Sequence, residues 1–274
     1  MTPGDESATL QWTAPLANGS AITGYTLSVA AGGVTVSTLS PGAGDLTGTL
    51  SGLTNGTVYT LTLTATNAVG TSLPSAKVLV TPRTLPGVPA LDSVTAGKAS
   101  AVVAWAAPSS TGGLPISGYV VRAYRDGVVA KTVTASGSAR SMSVTGLVNG
   151  ADYTFTVAAK TVAGTGTATD ASSVVTPRGA PTAPRTPVAT PGPRSARVTW
   201  VAPLSNGGSA ITGYTVRAYK GTALVSTATV DGSTLETTFS GLTAGAGHTF
   251  SVTATNAVGN SPASVRTRSV LPTA

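Results

Sequence analysis

The 274-residue chain is 41% hydrophobic and only 9% charged, is rich in glycine (33) and proline (18), and has a formal net charge of +7. That balance excludes a disordered polyelectrolyte, in which low hydropathy accompanies high charge. The absence of cysteine excludes disulfides, thiolate metal sites and cysteine nucleophiles, and with no run of 18 apolar residues no helical membrane span is expected.

Met1 is followed by TPGDE, which lacks the basic and apolar regions of a signal peptide. Next, TPGDESATLQW (2–12) ends in an alternation that sets Leu10 and Trp12 on one face of a strand. LANGS (16–20) is a turn, and Gly24-Tyr25 opens another strand. In GLTNGTVYTLTLTATNAVG (52–70), Tyr59, Leu61, Leu63 and Ala65 alternate with Thr60, Thr62 and Thr64, giving one apolar and one polar face. Asn18-Gly19-Ser20 and Asn55-Gly56-Thr57 match the glycosylation acceptor pattern, but Asn-Gly tolerates positive φ and is accounted for by a turn. TPRTLPGVP (81–89) is then an extended, semi-rigid joint, because proline fixes φ and withholds a donor.

The same series of signals returns twice. Val103 and Trp105, the turn STGG (110–113), Gly118-Tyr119 and GLVNGADYTFTVAAKTVAG (146–164) precede a second joint, TPRGAPTAPRTP (176–187). Val198 and Trp200, SNGGS (205–209), Gly213-Tyr214 and GLTAGAGHTFSVTATNAVG (241–259) follow it. Trp12, Trp105 and Trp200 are 93 and 95 residues apart, which divides the chain into repeats at 1–83, 84–178 and 179–274. Short strands at regular spacing, with turn signals and no helical period, predict antiparallel β-sandwiches. Repeat 3 has a segment, APTAPRTPVA (180–189), ahead of the part that aligns with residues 2–12, so repeat 1 is expected to lack its first strand. Either this chain was cut from a longer one, or a neighbouring chain donates the strand.

The run W-x-A-P, the NGGSAITGY-type loops and G-L-x-x-G-x-x-Y-x-F/L-x-V-x-A resemble bacterial fibronectin type III domains over essentially the whole chain. The resemblance implies three tandem all-β, immunoglobulin-like sandwiches, each of seven strands in two sheets, with the Trp on the second strand and the later Tyr starting the sixth. Tyr59 and Tyr153 match the tyrosine corner of this sandwich class. Repeat 3 has His248 there, the chain's single histidine. A metal reading of His248 would need partners, and repeat 3 offers only Asp231 and Glu236. It is therefore taken as a corner residue using a ring nitrogen where tyrosine uses its hydroxyl.

No catalytic constellation, cofactor fingerprint or metal site is expected. The nine acids are mostly isolated, and the glycine-rich stretches lie between strands rather than opening helices. Most aromatics fall at core positions, but alternation in GYVVRAY (118–124) and GYTVRAY (213–219) turns Arg122, Tyr124, Arg217 and Tyr219 outward on the same sheet. These four are the candidate ligand-binding residues, because an exposed Tyr beside an Arg can stack on a sugar ring or an aromatic partner. The other reading is that each Tyr covers a neighbouring strand while Arg lies across it.

Net charge runs from −1 in residues 1–83 (two bases, three acids) through +3 in 84–178 to +5 in 179–274. The bases are scattered singly, which reads as a solvated surface and not a specific nucleic-acid site. The function expected from the resemblance is a non-catalytic spacer or display module of a bacterial extracellular or cell-surface protein. Its partners would be other domains of a longer chain. Binding of polysaccharide or cell wall through the Arg-Tyr faces is the second reading, and a decoration or tail component of a phage virion the third.

Overall fold

A computed structural model describes residues 1–274. Repeat 1 contains β1 (Thr2–Gly4), β2 (Ser7–Gln11), β3 (Ile22–Ala31), β4 (Val34–Leu39), β5 (Thr47–Ser51), β6 (Tyr59–Asn67) and β7 (Val78–Val80). Repeat 2 contains β8 (Ala90–Gly97), β9 (Ser100–Ala106), β10 (Gly118–Arg125), β11 (Val128–Ser136), β12 (Ser141–Thr145), β13 (Thr154–Thr161) and β14 (Gly164–Thr165). Repeat 3 contains β15 (Arg185–Gly192), β16 (Ser195–Val201), β17 (Ile211–Lys220), β18 (Ala223–Asp231), β19 (Glu236–Ser240), β20 (His248–Asn256) and β21 (Gly259–Asn260). Each repeat is an antiparallel three-stranded sheet, β1-β2-β5 in the first, and an antiparallel four-stranded sheet, β4-β3-β6-β7. No helix is long and apolar enough to cross a membrane.

The two-residue period of the strands is what makes the cores. Along β10 the alternate residues Tyr119, Val121 and Ala123 are buried, while Arg122 and Tyr124 are half-buried on the other face. Each core joins residues from both sheets of its repeat, as Val103 of β9 and Phe155 of β13 do in repeat 2. A tryptophan meets the tyrosine of the facing sheet in every repeat, with ring centroids 5.4, 5.2 and 5.3 Å apart for Trp12–Tyr25, Trp105–Tyr119 and Trp200–Tyr214. Such pairs add about 0.5–1.5 kcal/mol beyond area burial.

One expectation needs correction. Repeat 1 does not lack its first strand altogether: a three-residue stub, β1, pairs Thr2 with Thr9, Pro3 with Ala8 and Gly4 with Ser7. The stub matches the last three residues of β15, Thr190–Gly192, in repeat 3. In repeat 2, by contrast, β8 continues far enough for Leu91 to pair with Trp105 and Val94 with Val103. Without that cover Leu10 and Trp12 are half-buried, where Val103, Trp105, Val198 and Trp200 are at most 4% exposed.

The last strand of each sandwich does not follow the two-residue period of the others. After β14, the amides of Gly166, Thr169 and Ser172 donate to the carbonyls of Ala159, Val157 and Phe155 of β13, at every third residue. At Thr169 and Ser172 the side-chain oxygen also accepts the Val157 and Phe155 amides in return, at 3.2 and 3.0 Å. Ser261, Ser264 and Thr267 repeat this two-bond clasp on β20, and Ser72 and Ser75 repeat it on β6. Three residues per turn is the period of an extended polyproline-like chain, which suits the prolines in these segments.

Candidate functional site

Arg122 and Tyr124 lie two residues apart on β10 and so share a face, as do Arg217 and Tyr219 on β17. A β-bulge falls at both tyrosines: Ala130 and Val225 are the extra residues in β11 and β18, opposite the steps Ala123/Tyr124 and Ala218/Tyr219. The two faces then differ. The Arg266 guanidinium lies over the Tyr219 ring, 3.7 Å from its centroid, and its Nη1 donates to the Gly221 carbonyl at 3.0 Å. Arg217 reaches inward along the sheet, with Nη1 3.4 Å from Thr253 Oγ1. Counting from the matching clasps of Ser172 and Thr267, the repeat 2 counterpart of Arg266 is Ala171. The Tyr124 ring therefore carries no such cap.

The corners behave as the tyrosines predict. Tyr59 Oη accepts the Thr54 amide at 3.0 Å and Tyr153 Oη accepts the Val148 amide at 3.1 Å, each five residues back. His248 is buried, and its Nδ1 donates to the Ala246 carbonyl at 2.8 Å. A ring nitrogen does bond the main chain, but the polarity is reversed and the partner is two residues back. No group of three or more His, Asp or Glu side chains comes together. The exposed Asp231 carboxylate ties a surface turn: it accepts hydrogen bonds first from Ser233 Oγ, then from Thr234 Oγ1 and the two amides. Those bonds hold its pKa below the ordinary aspartate value.

The most fully built feature is the joint between repeats, whose prolines mark it in the sequence as semi-rigid but whose fastening contacts lie outside the Pro-rich segments. Thr84 N–H donates to Gly112 O and Gly87 N–H to Ser110 O, both at 2.9 Å. Gly179 N–H to Gly207 O (2.8 Å) and Thr182 N–H to Ser205 O (2.9 Å) reproduce that ladder in the second joint. There Asn256 Nδ2 also donates to Gly179 O and Asn206 O, at 2.8 and 2.7 Å. The turn of the preceding repeat presses on the same loop: a Cβ on Gly113 would lie 2.3 Å from Gly56 N, and one on Gly208 2.4 Å from Gly150 N. Only glycine permits so close an approach of two backbones. Asn55 and Asn149 brace those turns, their Oδ1 accepting the Glu6 and Ala99 amides at 3.0 and 2.7 Å. The recurrent Asn-Gly and Gly-Gly pairs were the available signal, but each is explained locally by a turn, and nothing in either pair alone indicates that they meet.

Corner bonds, sandwich cores and backbone-to-backbone joints define a tandem array of immunoglobulin-like β-sandwiches. The fibronectin type III domain family matches at residues 2–81, 88–175 and 180–270, and the chain belongs to that family. Among curated proteins, it is 33% identical over 269 residues to Exoglucanase B of Cellulomonas fimi, covering 92% of this chain and 23% of that one. It is 33% identical over 270 residues to Endoglucanase B of Cellulomonas fimi (92% and 25%), and 38% identical over 186 residues to Chitinase A1 of Niallia circulans (65% and 24%). The chain thus spans about a quarter of the length of each relative.

Proposed function

We propose that the chain is a non-catalytic spacer or display module of a bacterial extracellular or cell-surface protein, holding other domains at a set separation. The observation that carries this is the joint: successive repeats are fastened by main-chain hydrogen bonds and glycine-to-glycine contact, so each fixes the direction of the next. The family matches leave only Met1, residues 82–87, residues 176–179 and residues 271–274 outside them, which gives no room for a separate catalytic domain within this chain. The relatives are named as glucan- and chitin-acting enzymes, which supports placing the module beside polysaccharide hydrolysis.

A second reading rests on one asymmetry. Tyr219 is capped by Arg266, whereas Tyr124, beside Arg122, is not, so repeat 2 has the open stacking face. Co-sedimentation with chitin, cellulose and bacterial cell wall tests both readings. The spacer reading expects the chain to stay in solution with all three. Binding that Tyr124→Ala abolishes and Tyr219→Ala leaves intact would replace it with polysaccharide recognition by repeat 2.

A further inference from the structure

Arg217 and Arg266 are 49 residues apart in the chain, yet the fold sets them at adjoining places on one sheet face. Arg266 lies over Tyr219, and Tyr219 follows Arg217 on the outward side of β17. A guanidinium carries five donors. Each of these two gives one hydrogen bond, Arg217 to Thr253 Oγ1 and Arg266 to the Gly221 carbonyl, and neither meets a carboxylate. The two acids of repeat 3 are engaged elsewhere. Glu236 pairs with Arg197 on the three-stranded sheet, and Asp231 ties its own turn, opposite Gly213 at the far end of β17. One further polar atom on this face is unsatisfied: Thr249 Oγ1, across from Tyr219, is buried with no hydrogen-bond partner. Neither other repeat has this group. Repeat 1 has Ser28 and Ala30 in place of Arg217 and Tyr219, and repeat 2 has Asp170-Ala171 where repeat 3 has Val265-Arg266. The matching turn of repeat 2 stays open although another unit follows it, with the Asp126 side chain 91% exposed. Tandem packing therefore leaves this place on the sandwich free.

We propose that this face of repeat 3 binds an acidic polysaccharide through its carboxylate groups. Two unpaired guanidinium groups with no acid beside them select an anion by complementary charge. The planar fork of arginine matches a carboxylate with two parallel hydrogen bonds. Stacking on Tyr219 and the bond to Gly221 hold Arg266 in one plane, so little of its freedom is lost when the anion arrives. Thr215 and Thr227 flank Arg217 on the same face and supply hydroxyls to the neighbouring sugar hydroxyls. A ring hydroxyl entering beside Arg266 would give Thr249 Oγ1 the partner it lacks. A single-stranded nucleic acid fits less well, because its bases need an aromatic face to stack on and Arg266 already covers that of Tyr219. The site is independent of the spacer reading. Chitin and cellulose are uncharged, so whether they bind the chain bears on that reading and not on this one.

The test is titration of the full chain with trigalacturonate, followed by backbone amide chemical shifts. Maltotriose serves as the uncharged sugar, and tripolyphosphate and a thymidine oligonucleotide as anions of other kinds. The expected result is saturable shifts at residues 215–219, 249–253 and 264–268, none at residues 28–30 or 122–124, and an affinity that falls as salt rises. Maltotriose should shift none of these residues. Arg217→Gln and Arg266→Gln should each weaken binding about tenfold, while Arg197→Gln, which removes the same charge from the three-stranded sheet, leaves it unchanged. An equal loss in all three variants would reduce the effect to net charge and overturn the proposal. Tripolyphosphate or the oligonucleotide bound as tightly at the same residues would overturn it too, since the site would then recognise charge without sugar. If trigalacturonate gives no saturable shift at these residues in low salt, the face does not take an acidic polysaccharide.

Discussion

Replacing Gly208 with alanine should unfasten repeats 2 and 3 without unfolding either. Gly208 has φ +79, and a Cβ there would lie 2.4 Å from Gly150 N and 2.7 Å from Gly150 Cα. Gly221, with φ +62 and nothing within 4 Å of its Cβ position, is the matched control. Either alanine enters the left-handed region, at about 1–2 kcal/mol to repeat 3. Only Gly208→Ala must also move a neighbouring backbone, by at least 0.6 Å to reach the 3.0 Å that real Cβ contacts respect. A shift of that size takes the 2.8 Å Gly179–Gly207 bond and the 2.9 Å Thr182–Ser205 bond beyond normal hydrogen-bonding distance. Two such bonds at about 1 kcal/mol each correspond to roughly 30-fold faster exchange. The assay is amide hydrogen exchange at Gly179 and Thr182 in both variants. If these amides exchange at the same rate in Gly208→Ala and Gly221→Ala, the glycine contact does not hold the joint.

Thr169→Val keeps shape but removes the oxygen that accepts the buried Val157 amide, so repeat 2 should lose about 1–3 kcal/mol in urea denaturation. Repeat 1, with a core cluster of 8 buried residues against 13 and 11, should open first when exchange is followed at rising urea. Asp231 has a folded pKa below its unfolded value, so its turn stabilises repeat 3 above about pH 4 and that contribution is lost as pH falls through the folded value. Asp231→Asn should accordingly lower the urea midpoint near neutrality, with the gap to the parent chain closing in acid.

How far the sequence discloses this molecule depends on the period of the contacts concerned. The Trp and Gly-Tyr landmarks located the sheets because burial on β10 and β17 alternates from Tyr119 and Tyr214 onward, and a two-residue pattern is visible in any short window. The last strand escaped notice because Ser72 and Ser75, or Ser261, Ser264 and Thr267, recur every third residue among prolines and look like loop. The tyrosine corner was legible because its bond spans five residues. The Arg266 cap on Tyr219 was not, since nothing local marks a contact between residues 47 apart in the chain. TPG at residues 2–4 has the composition of a turn, and only its pairing with β2 makes it a strand.

The joints also bear on how such a chain can grow. Most of their hydrogen bonds run from main chain to main chain, with a few side chains such as Asn256 added, so the strands on either side are free to drift in sequence while the coupling is preserved. A unit carries its own fittings, a tight turn at the rear and a pair of glycines at the front, and duplicating it creates no interface that must be invented. Repeat 1 has one residue fewer in its front loop, with Asn18-Gly19 where repeat 3 has Asn206-Gly207-Gly208. It therefore has no counterpart of Gly113 or Gly208, the glycines that meet a neighbouring turn in the other two repeats.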